Sequence, residues 1–92
     1  MLKPQPSTQF KRDLKRSKNQ NRDIDHLQKV IILLASKKTL PNKYRDHALI
    51  GDWHEYRECH ISPDWLLIYR IDEKNGILKL MRINSHANIF KK

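Results

Sequence analysis

The spacing of the apolar residues changes near the middle of the chain, and this change constrains the fold more than any other feature. Within residues 7–40, two stretches carry apolar residues at spacings of three or four positions, which is the period of an amphipathic helix. From residue 56 onward they form three short runs separated by two turn sequences, a pattern typical of antiparallel strands. The sequence therefore predicts an α+β domain in which helices precede a sheet.

The first half of the chain predicts two helices. The first begins at Ser7 or Thr8, which can cap it, and Phe10 and Leu14 form a thin apolar stripe. A polar break at residues 19–21 separates it from a second and more apolar helix. The apolar residues of that second helix recur at helical spacing: Ile24, Leu27, Val30, Ile31 and Leu34. Two helices joined by so short a link are expected to form a helical hairpin.

The second half predicts three strands, over residues 56–61, 65–71 and 77–83. The turn sequences Ser62-Pro63-Asp64 and Asn75-Gly76 connect them. Such an antiparallel meander needs cover on one face, and the helical hairpin is the cover that the chain offers.

The length of 92 residues allows one domain, 1–92, with a single modest core. Residues 1–6 are predicted to be an edge strand or a loose arm, because Pro4 and Pro6 exclude a central strand. The complete expectation is the order β-α-α-β-β-β, with an N-terminal helical hairpin packed on a small antiparallel sheet.

Positive charge is concentrated in the first half of the chain. The sequence holds 19 Lys and Arg against 10 Asp and Glu, which gives a formal net charge of +9. Residues 1–45 carry 12 of the cations and three acids, whereas residues 46–92 carry seven of each. The asymmetry indicates a polyanionic partner such as nucleic acid, although a solvated surface that merely keeps the protein soluble is the alternative.

Several classes of protein do not fit the sequence. No run approaches the roughly 18–20 apolar residues of a membrane span, and the first residues lack the apolar region of a secretory signal. The single cysteine, Cys59, cannot form an internal disulfide, which fits a reducing compartment. No glycine-rich nucleotide-binding pattern is present. We therefore expect a cytoplasmic protein without membrane contact.

Polar residues with useful chemistry lie at the ends of the predicted strands. Because hairpins bring strand ends together, His60, Asp64, Arg82 and His86 can converge. Each also has an ordinary structural interpretation: Asp64 is a normal turn residue, and Arg82 can pair with Glu58 across the sheet. Lone histidines in loops are usually just solvated. The same sequence therefore leaves both a catalytic cluster and a set of unrelated surface residues open.

Strand alternation assigns side chains to faces. Glu58 and His60 are expected on one face of the first predicted strand, with Cys59 on the other. In the third predicted strand, Leu80 and Arg82 are expected to share a face. A nucleophilic role of Cys59 assisted by its neighbour His60 is therefore disfavoured. The two isolated histidines are expected to be solvated: His26 and His54.

A metal site is the first alternative to histidine chemistry. His60, Asp64 and His86 carry suitable atoms, but their spacing matches no known metal-binding pattern, so we expect neither a metal nor a cofactor. RNA cleavage in which the 2′-hydroxyl is the nucleophile needs neither a metal nor a cofactor. It requires only a base, an acid and a cation that stabilises the charge on phosphorus. Histidine suits both proton transfers near neutral pH.

Three sequence elements resemble the YafQ branch of the RelE toxin superfamily. They are D-H-x-L-x-G at residues 46–51, H-x-x-P-D-W at residues 60–65 and S-H-x-x-I-F at residues 85–90. The segment from Phe10 to Lys15 is similar to the family's first helix, so the resemblance covers nearly the whole chain. Asn84 departs from the pattern, since it stands where the family usually has a glycine; Asn tolerates positive φ.

The resemblance implies a RelE-like fold and a ribosome-dependent messenger-RNA endonuclease, the toxin of a type II toxin–antitoxin pair. It also implies that Phe90 stacks on a base. The family's functional positions fall here on six residues: His47, His60, Asp64, Arg82, His86 and Phe90.

The resemblance further implies roles for these side chains. His86 is the expected general acid for the leaving oxygen. His60, with Asp64 beside it, is the candidate for the base or for the base's orienting partner. His47 and Arg82 are expected to position the scissile phosphate and stabilise its charge.

The partners implied by the resemblance are messenger RNA, 16S rRNA in the A site of the 30S subunit, and a cognate antitoxin. The antitoxin is expected to be DinJ/RelB-like, acidic and partly disordered, and to fold on the toxin surface. Basic residues of the first helix are expected to contact rRNA without reading sequence: Lys11, Arg12, Lys15, Arg16 and Lys18. A non-catalytic RNA- or ribosome-binding module, or an inactive toxin-fold protein that only binds an antitoxin, remains the alternative.

Overall fold

The helices and strands cover most of residues 1–90, which are the residues that the computed structural model describes. The elements follow in this order: β1 (Lys3–Pro6), α1 (Thr8–Asn19), α2 (Ile24–Ala35), β2 (His47–Ala48), β3 (Arg57–Ser62), β4 (Trp65–Asp72), β5 (Ile77–Asn84) and α3 (His86–Ile89). Single 3₁₀ turns lie at Asn42–Tyr44 and Gly51–Trp53. The α+β class is confirmed.

Side-chain caps fix where the two long helices begin. The Oγ atom of Ser7 accepts a hydrogen bond of 2.9 Å from the backbone N–H of Phe10, and Oδ1 of Asp23 accepts one of 3.0 Å from that of His26. These bonds satisfy N–H groups that the first turn of a helix leaves free. The helical hairpin is thus confirmed, with Ser7 as the cap of α1. None of the helices within residues 1–90 is long and apolar enough to cross a membrane.

The sheet has five strands in the order β1-β5-β4-β3-β2. Neighbouring strands from β2 to β5 are antiparallel, which confirms the predicted meander. The sheet as a whole is mixed and not purely antiparallel, because β1 pairs in parallel with β5 in the register Lys3↔Ile77. Its position at the sheet edge suits Pro4 and Pro6, which lack a backbone N–H.

Both faces of the sheet are covered by apolar side chains. The larger core lies between the helical hairpin and the sheet, and it includes Phe10, Val30 and Leu67. A smaller cluster on the other face contains Leu66 and Ile68, with Trp53, Tyr56 and Phe90 packed against it. The central strand β4 is therefore buried on both sides. On the face opposite the helical hairpin, the part of the sheet outside the smaller cluster is not covered by any helix within residues 1–90.

Two register shifts redirect side chains at the ends of the long strands. One lies between His60 and Ser62, and the other lies opposite Ile68 and Tyr69, where β5 carries an extra residue. Because of the second shift, Arg82 pairs with Ile68 of the smaller cluster, while Leu80 belongs to the larger core. The expectation that Leu80 and Arg82 share a face is wrong, since a bulge moves every following side chain to the other face.

Candidate active site

A buried carboxylate joins two histidines on strands β2 and β3. Glu58 is only 5% exposed, and its Oε1 atom lies 3.2 Å from Nε2 of His60 and 3.7 Å from Nε2 of His47. The register His47↔Glu58 places the first histidine directly opposite the carboxylate, and alternation along β3 places the second histidine on the same face. Glu58 thus holds a negative charge between two groups that become cations when they are protonated.

The backbone of the preceding turn orients His47. Its Nδ1 atom lies 2.7 Å from the carbonyl oxygen of Arg45, which adopts a left-handed conformation with φ 50° at the end of the 3₁₀ turn. Since a carbonyl oxygen only accepts, Nδ1 carries the proton and Nε2 is the nitrogen that faces Glu58. The ring centroids of His47 and His60 are 6.5 Å apart, so one small region contains both histidines.

The short helix α3 brings His86 to the same side of the molecule. Ser85 caps this helix by accepting a hydrogen bond of 3.2 Å from the N–H of Asn88. Oδ1 of Asp64 accepts a 3.3 Å bond from the backbone N–H of His86, which ties α3 to the turn between β3 and β4. Asp64 and His86 are thus close together, as predicted, but the contact is made by the backbone N–H of His86 and not by its ring.

An open groove of about 290 Å³, which we call the histidine groove, contains most of these side chains. His47, Glu58, His86 and Phe90 line it. Its apolar wall consists of Leu49, Ile50 and Trp53. The rings of His86 and Phe90 are 4.8 Å apart, and Trp53 meets Phe90 edge to face at 5.9 Å. The aromatic ring of Phe90 therefore lies next to the exposed His86, and the same groove contains His47 and Glu58.

Arg82 lies in a different groove. Its Nε atom donates a 2.7 Å hydrogen bond to Oδ2 of Asp13, so the alternative interpretation, in which Arg82 pairs with Glu58, does not hold. A groove of about 410 Å³ surrounds this pair, and we call it the arginine groove because Arg12, Arg16 and Arg82 line it. The structure brings His47 and His86 together in the histidine groove, but it does not bring Arg82 there.

Asp13 is the centre of the hydrogen-bond network that holds Arg82. The carboxylate is 3% exposed and also accepts bonds of 3.2 Å from the N–H of Ile83 and from the amide of Asn84. Burial favours the neutral acid, but the hydrogen bonds from Arg82 and its neighbours outweigh it and hold the pKa of Asp13 below its ordinary value. The backbone of Asn84 does not adopt a positive φ. Its side-chain amide instead donates to Asp13 and so belongs to this hydrogen-bond network.

The cations of α1 lie on the outer surface of the helix. All five residues expected to contact rRNA are exposed: Lys11, Arg12, Lys15, Arg16 and Lys18. Two of them, Arg12 and Arg16, also line the arginine groove. The structure therefore joins the basic helix to the region around Arg82, and α3 separates this region from the histidine groove, because Asn88 lines the arginine groove and His86 the other.

The remaining candidates have structural roles. Cys59 is fully buried in the larger core, where burial raises the pKa of its thiol, so the expectation that it faces away from His60 is confirmed. His54 is exposed, as expected, and Nδ1 of its ring lies 3.1 Å from the carbonyl oxygen of Gly51. The same expectation for His26 is wrong, because its Nε2 atom bonds the hydroxyl of Tyr44 at 2.8 Å.

Glu58 is the site residue that the sequence analysis missed. Strand alternation already predicts that Glu58 and His60 share one face. Strand β2 is not predicted by the sequence pattern, however, so the pattern could not show that His47 lies opposite Glu58. Within residues 1–90 no group of three or more His, Cys, Asp or Glu side chains is placed to hold a metal ion.

Comparison with known proteins gives a consistent result. A sequence profile described as "Bacterial toxin of type II toxin-antitoxin system, YafQ" matches residues 2–91. The mRNA interferase toxin YafQ of Escherichia coli is 36% identical over 85 residues, which cover 91% of this chain and 90% of that protein.

Solved structures match over almost the whole chain. A metal-bound toxin from Helicobacter pylori is 40% identical, with a TM-score of 0.93 over 98% of this chain and 100% of that one. The toxin in the E. coli DinJ–YafQ complex is 33% identical, with a TM-score of 0.87 over 98% of this chain and 99% of that one.

Proposed function

The chain belongs to the YafQ family of toxins of type II toxin–antitoxin systems, and from this premise we propose that it is a ribosome-dependent endoribonuclease. It cuts messenger RNA in the ribosomal A site and so inhibits translation, and it therefore acts in the cytoplasm. The E. coli relative is named an mRNA interferase. The observation that carries the proposal is the histidine groove, in which His86 and Phe90 lie across from His47 and Glu58.

The proposed reaction is an attack of the RNA 2′-hydroxyl on the adjacent phosphorus. A base removes the proton of the 2′-hydroxyl, the new O2′–P bond forms, and the P–O5′ bond breaks. An acid donates a proton to the leaving 5′-oxygen, so the products are a 2′,3′-cyclic phosphate and a 5′-hydroxyl. Both proton transfers suit histidine, and the chemistry requires neither a metal nor a cofactor.

His86 is the proposed general acid. Its ring is exposed at the groove and lies 4.8 Å from the ring of Phe90. A base stacked on Phe90 would contribute about 1–3 kcal/mol of binding and would hold the leaving 5′-oxygen near His86. Because the 5′-oxygen is held next to His86, the proton transfer does not depend on a diffusional encounter between the two groups.

The proposed base is His60, and His47 positions the scissile phosphate. Both face Glu58, which therefore takes the orienting role that we had expected of Asp64. When either histidine is protonated, the buried carboxylate pairs with the new cation. Asp64 contributes instead by holding the backbone of His86.

Arg82 and the cations of α1 are proposed to contact the RNA backbone. Arg82 lies with Arg12 and Arg16 in the arginine groove, where three guanidinium groups offset the one carboxylate of Asp13. We propose that 16S rRNA in the 30S A site is the polyanion that α1 meets. The proposed partner that blocks this surface is an acidic, partly disordered antitoxin. A structural relative, the E. coli toxin YafQ, has been solved in complex with DinJ.

Expression of the chain alone in bacteria tests the enzyme against a non-catalytic binder. We expect growth arrest with new cuts in translated messages. His86→Ala and Glu58→Gln should each lower the cleavage rate by about 10²–10⁴-fold, because each removes a proton-transfer group or its partner. His54→Ala is the matched control, since His54 is exposed and its ring bonds the carbonyl oxygen of Gly51 in its own turn. Growth rate and mapping of mRNA 5′ ends are the measurements.

Two results would contradict the proposal. Growth arrest without mRNA cuts would indicate a ribosome-binding module. Full cleavage by the His86→Ala variant would show that His86 is not the acid.

A further inference from the structure

A second cavity lies beside His60, and it is distinct from the histidine groove. Its volume is about 280 Å³, and we call it the edge pocket because residues 60–62 of β3, which line it, extend beyond the part of β3 that pairs with β2. His60 forms one of its walls. The other walls consist of His26, Lys43, Tyr44, Arg45 and the end of β3 from Ile61 to Pro63.

The floor of the edge pocket is aromatic and fixed. Tyr44 is 7% exposed, and its hydroxyl bonds Nε2 of His26 at 2.8 Å. The two rings meet edge to face with centroids 5.5 Å apart. This bond joins α2 to the 3₁₀ turn at Asn42–Tyr44, so the shape of the pocket exists before any ligand binds. Ile61 and Pro63 add an apolar wall.

The rim of the edge pocket is cationic. Nζ of Lys43 lies 5.2 Å from the ring centroid of Tyr44, and Arg45 is exposed beside it. The eight described residues that line the pocket include no Asp or Glu. Stacking surfaces below a positively charged rim are the arrangement by which proteins bind single-stranded nucleic acids.

The edge pocket and the histidine groove are linked by two residues. His60 lines the pocket and also lies 3.2 Å from Glu58, which lines the groove. Arg45 lines the pocket, and its carbonyl oxygen accepts a hydrogen bond from Nδ1 of His47. The pocket and the groove are therefore joined through the contact of His60 with Glu58 and that of Arg45 with His47.

We propose that the edge pocket is a subsite for one nucleotide of the substrate RNA, next to the nucleotide whose 2′-hydroxyl reacts. The base lies against His26 and the apolar wall, and its phosphate lies between Lys43 and Arg45. This inference rests on the proposed function and extends it, because it assigns a part of the molecule that selects and holds RNA beside the proposed base His60.

Binding of an uncleavable RNA tests the subsite without any reference to catalysis. The probe is a six-nucleotide, fully 2′-O-methylated RNA of mixed sequence, added to the isotope-labelled protein. We expect amide NMR signals of residues 43–45 and 60–62 to shift. Lys43→Gln with Arg45→Gln should weaken this binding about tenfold, since two phosphate contacts are lost. Arg70→Gln with Lys74→Gln removes the same charge from residues outside the pocket and should leave the shifts unchanged.

Cleavage of ribosome-bound mRNA by the same variants separates the subsite from the proposed function. If the parent cleaves, the Lys43→Gln/Arg45→Gln variant should cut about tenfold more slowly and with a changed distribution of cut sites. If the parent does not cleave but the NMR shifts occur, the proposed function is wrong, and the edge pocket stands as an RNA-binding site without a role in cleavage. Absent shifts at residues 43–45, or shifts there with an acidic peptide and not with RNA, would overturn the subsite.

Discussion

At the scale of single residues, two buried carboxylates connect parts of the chain that are far apart in sequence. Asp13 of α1 binds Arg82 of β5, 69 residues away, and Glu58 lies between His47 and His60. A buried carboxylate without a partner is strongly destabilising, so each of these groups enforces one arrangement of its neighbours. The first arrangement holds the basic helix on the sheet, and the second forms part of the histidine groove.

The Asp13→Asn variant tests the first arrangement. We expect the free energy of unfolding at pH 7 to fall by about 2–4 kcal/mol, because Arg82 and the N–H of Ile83 lose a charged acceptor. Urea unfolding measures this loss. Glu55→Gln is the control, since Glu55 is exposed, and it should change stability by less than about 0.5 kcal/mol.

The lowered pKa of Asp13 predicts how the difference in stability between the parent and the Asp13→Asn variant depends on pH. Because the folded pKa lies below the unfolded value of about 3.9, the unfolded state binds a proton first as the pH falls. The advantage of the parent over Asp13→Asn should therefore be constant above about pH 5 and shrink below about pH 4. An advantage that persists unchanged to pH 2.5 would contradict this role of Asp13.

At the scale of elements, α3 is the part of the fold on which the proposed chemistry depends most. It has only four residues, too few for a helix to persist by its own propensity. Contacts from outside hold it: Asp64 binds the N–H of His86, and Ser85 caps the N–H of Asn88. The helix presents His86, and Phe90 follows directly after it. Order in this short segment therefore sets the position of the proposed acid.

Removing the cap of α3 should reduce activity more than stability. In Ser85→Ala we expect a loss of about 1 kcal/mol in the free energy of unfolding. The cleavage rate should fall about tenfold, because His86 is no longer held in one place. Faster amide exchange at Asn88 would report the loosened helix. Ser36→Ala, at the end of α2, is the control that should cleave normally. Normal cleavage by Ser85→Ala despite faster exchange at Asn88 would show that order in α3 is not required.

At the scale of the whole molecule, the surface divides into a cationic helix and the histidine groove, which contains the proposed general acid. The net charge of +9 arises within residues 1–45, and α1 exposes five of those cations. The four histidines of the second half lie on or near the sheet, and His47 and His86 share the histidine groove. Such a division suits a protein that attaches to one polyanion and cuts another.

The salt dependence of binding tests the cationic helix. Neutralising two exposed positions of α1, Lys11→Gln with Lys15→Gln, should weaken binding to 30S subunits. The slope of log Kd against log salt concentration should also fall by about two, one for each lost phosphate contact. Arg70→Gln with Lys74→Gln removes the same charge from the β4–β5 hairpin and should preserve the slope. Equal slopes for all three proteins would rule out contact between α1 and rRNA.

Elements with a strong local pattern were predictable from the sequence. The caps and apolar spacing of α1 and α2, and the turn signals between β3, β4 and β5, involve residues within a few positions of one another. The three family motifs are equally local, so the amino-acid sequence by itself shows the likeness to YafQ toxins. Local patterns also indicated His47, His60 and His86, although not the groove that His47 and His86 share.

Tertiary structure alone decided the partners of the polar groups. One extra residue in β5 separates Arg82 from the face of Leu80. The partner of Arg82 is Asp13 of α1, 69 residues away along the chain. The parallel pairing of β1 with β5 joins the first strand of the chain to the last. The contact of His26 with Tyr44, which builds the edge pocket, likewise crosses between elements. Spacing along a chain determines which face of an element is apolar, but only the packing of distant elements determines which polar atoms meet.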